Sequence, residues 1–234
     1  MWHGWQELFN EYLRGGHFRL PIFFDLGAVF FFGLTGALVA MRRGYDIVGL
    51  FGLALVTGLG GALIRDGLFI QQGPPAFTTD ARYVLMLVPA CLCGMAMGRW
   101  LERFPRLVAV LDALGLAAYG VVGLEKSLAA GLSAPAAVLV GVINACGGGV
   151  IRDVLVREEP LVFKPGQFYV LAVLTGSVAH VALVYWGKVP LPLAGLIAFA
   201  TTFVFRLLTI AFNWKSWAVK PLDLLPPGGP SGPR

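Results

Sequence analysis

Two stretches of this chain set an arginine beside an aspartate shortly after a run of glycines: Gly60-Gly61-Ala62-Leu63-Ile64-Arg65-Asp66 and Gly147-Gly148-Gly149-Val150-Ile151-Arg152-Asp153. Both lie within long apolar segments, where ionised side chains are expensive and commonly mark an ion or substrate path. Adjacent glycines are poor helix formers and a known cause of kinks. A backbone break in lipid is tolerated only against protein or a water-filled cavity. A helix ending at such a break presents carbonyls of partial negative charge, which suit a cation. The arginine then stands at the positive end of the next half-helix and requires a carboxylate or water. Its immediate neighbour points about 100° away on a helix. Asp25 and Asp112 are therefore the expected partners of Arg65 and Arg152, one pair near each mouth of a pore. Thr57 and Asn144, each three residues before the first glycine, offer polar oxygen to such a pore or hydrogen bonds between helices. A lone Gly-Gly would be read as close helix packing, and a purely structural ion pair competes with the functional reading. The repetition of glycines together with Arg-Asp favours function.

These residues recur because the chain repeats. A shift of 87 places Asp25 on Asp112, Gly33 on Gly120, Gly36 on Gly123, Gly44 on Gly131, the first glycine-to-aspartate stretch on the second, and Leu68 on Leu155. That makes ten identities in 44 ungapped positions, 25–68 against 112–155. Each unit holds three apolar spans. An odd number sends the second copy into the membrane from the opposite face, which predicts an inverted repeat with a pseudo-two-fold axis in the membrane plane.

The elements that carry these residues follow from composition and hydropathy. Hydrophobic residues make up 57% and charged residues 13% of the 234, against about 45–50% and about 25% in soluble domains. Mean hydropathy is +0.76. A spanning helix needs about 20 mostly apolar residues, and seven segments qualify: 22–41, 47–70, 83–100, 107–124, 132–156, 168–186 and 189–214. The expected organisation is an interfacial amphipathic helix over 1–20, a first three-helix repeat over 21–106, an inverted second repeat over 107–187, a seventh transmembrane helix over 188–215, and a disordered Pro/Gly-rich tail over 216–234. The fold class is an all-α polytopic membrane protein. Ten Lys and Arg residues fall on the side of the C-terminus and five on the other, so the N-terminus is expected outside and the C-terminus in the cytoplasm.

The net charge of +5 comes from basic residues scattered between spans, not from one stripe, and does not point to nucleic acid. Cys91, Cys93 and Cys146 lie in apolar segments and read as buried small hydrophobes. No pattern suggests a metal site, a cofactor or a catalytic triad, so an enzyme is not expected. Glu125 and Lys126 read as interfacial. His180 reads as a hydrogen-bonded helix contact, and Arg206 as a snorkelling or subunit-pairing residue.

With those motifs in view, the chain resembles the trimeric intracellular cation channel family in its prokaryotic branch, which overlaps groups described as uncharacterised membrane proteins and glycine transporters. The resemblance covers roughly residues 20–215. It implies a homotrimer with an hourglass pore in each subunit, lined mainly by helices one, two, four and five. It implies permeation by potassium and sodium, kinks at Gly60-Gly61 and Gly147-Gly148-Gly149, and charged pore residues at Arg65, Asp66, Arg152 and Asp153. Glu125-Lys126-Ser127 does not match the Lys-Glu-Val phosphoinositide motif of the animal members. The expected partners are monovalent cations, membrane lipid and two further copies of the chain. The rival reading is a secondary transporter of a small amino acid such as glycine.

Overall fold

A computed structural model describes residues 22–101, 103–164 and 168–214. The amphipathic helix expected over 1–20 and the tail over 216–234 lie outside them. The described chain is helical: α1 (Ile22–Arg42), α2 (Ile47–Ile64) continuing as a π-helix (Arg65–Ile70), the short α3 (Ala76–Thr79) and α4 (Ala81–Leu85), then α5 (Leu87–Leu101), α6 (Pro105–Ala129), α7 (Ala134–Leu155), α8 (Tyr169–Tyr185) and α9 (Leu191–Ala211). Six segments are long and apolar enough to cross a membrane, the third being α4 with α5, and α8 adds a shorter apolar helix. Its 17 residues lie at the lower end of the spanning range. We call the end of the bundle where α1 begins the N-side, and the opposite end, where α9 finishes, the C-side.

The duplicated residues build duplicated geometry. Gly44 and Gly131 both take a left-handed φ, +70° and +91°, which only glycine adopts without strain. Each follows its helix in the same way: Gly44 N donates to Met41 O and Tyr45 N to Ala40 O, while Gly131 N donates to Leu128 O and Leu132 N to Ser127 O. This is one helix-ending motif written twice. The next helix starts on Asp46, whose side chain accepts from Gly49 N at 2.8 Å. Its counterpart starts on Ser133, with a proline in the first turn, where a missing N–H costs nothing. Farther on, Asp80 caps α4 and accepts from Arg82 N at 2.9 Å. Hydrogen bonding from the Arg82 side chain holds its carboxyl below the usual carboxylate range.

Glycines let helices within a unit approach closely, the packing mode that association in membranes favours. A Cβ on Gly36 would meet Thr57 Oγ1 at 2.6 Å, and one on Gly123 would meet Asn144 Cβ at 2.7 Å. The same equivalence holds for Gly33 against Leu87 and Gly120 against Val173, with a shift of 86 in the partner instead of 87. The third helix of the second unit is therefore one residue early. That difference falls between the second and third helices, where the first unit winds as a π-helix and the second does not. The core between the units is apolar and aromatic: Val29, Phe32, Leu59, Leu87, Leu116, Tyr119 and Val173 are buried together, with Phe32 stacked on Tyr119.

Candidate functional site

The two units meet where α2 crosses α7. A Cβ on Gly61 would run into the main-chain oxygen of Asn144, and one on Gly148 into that of Thr57. A Cβ on Gly60 would lie 3.0 and 3.4 Å from Ile151 Cδ1 and Gly148 Cα, and one on Gly147 3.0 and 3.2 Å from Ile64 Cδ1 and Gly61 Cα. Every contact has its partner under the shift of 87, as a two-fold relation between units requires. The outer ties correspond at a shift of 87 for one partner and 86 for the other. Arg43 pairs with Glu158 at 2.5 Å, and Gln72 donates to the Ala130 carbonyl at 3.1 Å.

This packing corrects one expectation. Hydrogen-bonded helix continues through Gly60-Gly61 and Gly147-Gly148-Gly149, so the backbone does not break there. At Gly61 and Gly148 the space left by the missing side chain is filled by the opposite backbone. The departure from α-helix comes later, at Arg65–Ile70, in the first unit alone.

Past the glycines, each Arg-Asp reaches one end of the crossing. On the N-side Arg65 is fully buried. Its Nε and Nη2 donate to Asp66 at 2.7 and 3.0 Å, and Nη1 donates to Asn144 Oδ1 at 3.2 Å. On the C-side Arg152 Nε donates to Asp153 at 2.8 Å, and its Nη1 donates to Thr35 Oγ1 at 3.1 Å. Each aspartate also accepts a backbone N–H from the segment that follows, Ala76 for Asp66 and Leu161 for Asp153, both at 3.3 Å. Here too the sequence argument needs correcting. Adjacent side chains leave a helix in different directions, but a guanidinium on a long flexible arm can turn sideways. There it offers its fork of donors to the neighbouring carboxylate.

Asp25, the expected partner of Arg65, is held by other groups. It accepts from the Tyr83 hydroxyl at 2.7 Å and from Lys126 Nζ at 2.5 Å. Asp112 stands 4.0 Å from Arg152 Nη1, the outer limit of an ion pair, and is hydrogen-bonded by Tyr169. Tyr83 and Tyr169 are counterparts at a shift of 86. One oxygen of each aspartate, Oδ1, is buried without a hydrogen-bond partner.

The two polar positions before the glycines diverge. Thr57 donates back to Leu53 O at 2.6 Å within its own helix. Asn144 instead joins the units: besides accepting from Arg65, its amide donates to Tyr119 O at 2.7 Å, and the Tyr119 hydroxyl donates to Gly58 O. Sequence reasoning missed Tyr83, Tyr119 and Tyr169, which lie in apolar runs and carry no spacing signal. Lys126, read as interfacial, closes on a buried carboxylate. His180 is a hydrogen-bonded contact, with Nε2 2.9 Å from Glu125 Oε1. Arg206 does not snorkel; it is 4% exposed, with its guanidinium carbon 5.1 Å from the centre of the Tyr169 ring. Among the described residues no group of three or more His, Cys, Asp or Glu is placed to hold a metal.

Seven apolar helices, six of them in two matched units joined at a glycine crossing with an Arg–Asp cluster at each end, define a polytopic membrane protein of duplicated three-helix design. The family model described as "Glycine transporter" matches residues 22–99 and again 109–185, one copy per unit. The inner membrane protein YadS of Escherichia coli is 32% identical over 84% of this chain and 94% of its own length. The Bacillus subtilis membrane protein YvgT is 30% identical over 79% of this chain and 89% of its own. Among solved structures, the TRIC trimeric intracellular cation channel orthologue from Rhodobacter sphaeroides is 34% identical, with a TM-score of 0.77 over 82% of this chain and 97% of that one. A second TRIC cation channel is 27% identical, with a TM-score of 0.78 over 87% and 99%. The chain belongs to this family, the prokaryotic branch of the trimeric intracellular cation channels and its overlap with the group described as glycine transporters. These relatives are channels and membrane proteins, not enzymes.

Proposed function

We infer that the protein conducts monovalent cations, potassium and sodium, along a path inside each protomer of a homotrimer embedded in membrane lipid. The observation that carries this reading is the pair of matched clusters, each with a carboxylate oxygen buried and unpartnered, at opposite ends of a single glycine crossing. A cation path needs such oxygens, and mobile helices between them. The path runs between α1, α2, α6 and α7, with Asp25, Arg65 and Asp66 at one mouth and Asp112, Arg152 and Asp153 at the other. It widens when α2 and α7, unbroken in this closely packed state, kink and part at Gly60, Gly61, Gly147, Gly148 and Gly149; Gly61 and Gly148 lie directly against the opposing backbone. Thr57 and Asn144 border the narrowest part. Three crossings per unit turn the second copy over, so the mouths face opposite sides of the membrane, with the N-side outside. Two solved structures that share the fold are described as cation channels.

Purified protein in planar bilayers tests this reading. Discrete single-channel steps in symmetric KCl are expected. The family description favours a second reading, the transport of glycine through the same inverted site. Saturable, proton- or sodium-coupled glycine uptake without unitary currents would establish that reading in place of the channel.

A further inference from the structure

Each mouth carries two carboxylates, and each needs two cations to balance them. On the N-side Asp25 and Asp66 face Arg65 and Lys126. On the C-side Asp112 and Asp153 face Arg152, and at the position equivalent to Lys126 the first unit carries no cation. The repeat counterpart of Lys126 is Val39. The missing charge comes from outside the repeat, on α9, which packs against α6 and α8. Arg206 lies over the ring of Tyr169 at 5.1 Å, as Lys126 lies over the ring of Tyr83, the counterpart of Tyr169, at 5.8 Å, and Tyr169 hydrogen-bonds Asp112 as Tyr83 does Asp25. We propose that Arg206 is the fixed counter-cation of the C-side mouth, supplied by the seventh helix, and that it makes conduction asymmetric.

The two cations differ in the way that matters for ion entry. The Lys126 side chain is 38% exposed over a carboxylate that is 5% exposed, on a flexible stem that can swing its amine into water. A permeant cation reaching Asp25 competes with a charge that can leave. Arg206 is buried in a span, with its planar guanidinium over an aromatic face. A cation reaching Asp112 meets a positive charge that stays, in surroundings where charges are weakly screened. Entry from the N-side is therefore easier than entry from the C-side. The same arrangement gives the seventh helix a role that the duplicated units leave open.

This inference rests on the cation-conduction reading, and its test is single-channel current–voltage recording in symmetric KCl. The intact protein is expected to rectify, passing larger cation current from the N-side. Arg206→Gln is expected to raise current entering from the C-side at least twofold, with N-side entry unchanged, while Arg206→Lys keeps the rectification of the parent. If Arg206→Gln does not accumulate, the Asp112→Asn/Arg206→Gln double variant is again formally neutral. It is expected to fold and to lose the rectification. Currents in either glutamine variant that rectify as the parent does would overturn this inference alone. Absence of unitary current in the parent would overturn the conduction reading and this inference with it.

Discussion

Arg65 and Asn144 lie 79 positions apart in different repeat units, and the guanidinium of one donates to the carboxamide oxygen of the other at 3.2 Å. The bond fastens the N-side cluster to the helix that carries the C-side cluster. Asn144→Leu removes both this acceptor and the donor to Tyr119 O. Leaving buried polar groups unpaired costs about 1–3 kcal/mol each. A clear fall in the thermal midpoint of the detergent-purified protein is expected. The equivalent Thr57→Val removes only a bond within its own helix and should lower the midpoint much less.

The glycine crossing yields a symmetric expectation. Gly61→Ala and Gly148→Ala each drive a methyl into an opposing main-chain carbonyl, and overpacking of this kind costs about 1–3 kcal/mol or more. The two variants should lose comparable stability in chemical unfolding. Gly52→Ala and Gly67→Ala, whose added methyl meets nothing within 4 Å, are expected to be neutral by the same measurement.

Asp66→Asn and Asp153→Asn strip the charge from the partner of a buried arginine. Breaking a buried ion pair from one side costs about 3–5 kcal/mol. Both variants are expected to show strongly reduced yield of folded protein by size-exclusion chromatography. Replacing the whole pair, as in Arg152→Leu/Asp153→Leu, should recover part of that yield, because no lone charge is left in the bundle.

Lys126 and Asp25 lend themselves to a double-mutant cycle. With one partner half in water, the coupling is smaller than for a fully buried pair, about 1 kcal/mol. Thermal midpoints of Lys126→Gln, Asp25→Asn and the double variant should give a coupling of that sign and size. Additive effects would mean that the 2.5 Å contact contributes nothing to stability.

Much of this architecture could be read directly from the chain. Hydropathy placed the second span at 47–70, which is where α2 and its π-helical extension run. The ungapped match of 25–68 with 112–155 contains Gly44 and Gly131 and the glycines of the crossing, although it did not itself say that they form paired turns and a close contact. What sequence reasoning missed has two physical origins. The Arg65–Asp25 pairing failed because Cβ direction does not bind a side chain as long as arginine, so the adjacent carboxylate was reachable after all. Tyr83, Lys126 and Arg206 were misjudged because their partners lie on distant helices. A lysine at the end of a span looks the same from sequence whether it meets water or a buried aspartate. Glycine runs carry a similar ambiguity, since the flexibility they confer is withdrawn when another backbone occupies the gap.

The seam between the units is formed by helix backbones in mutual contact, whereas the polypeptide passes from one unit to the other only once, near Phe104. The protomer is thus a dimer of half-proteins joined by a tether, and the tether does little more than keep the halves at high local concentration. Severing it would leave every contact of the seam in place, with α9 remaining on the second half. Two separately made fragments are expected to assemble in a bilayer, and co-purification of a tagged first half with the second checks it.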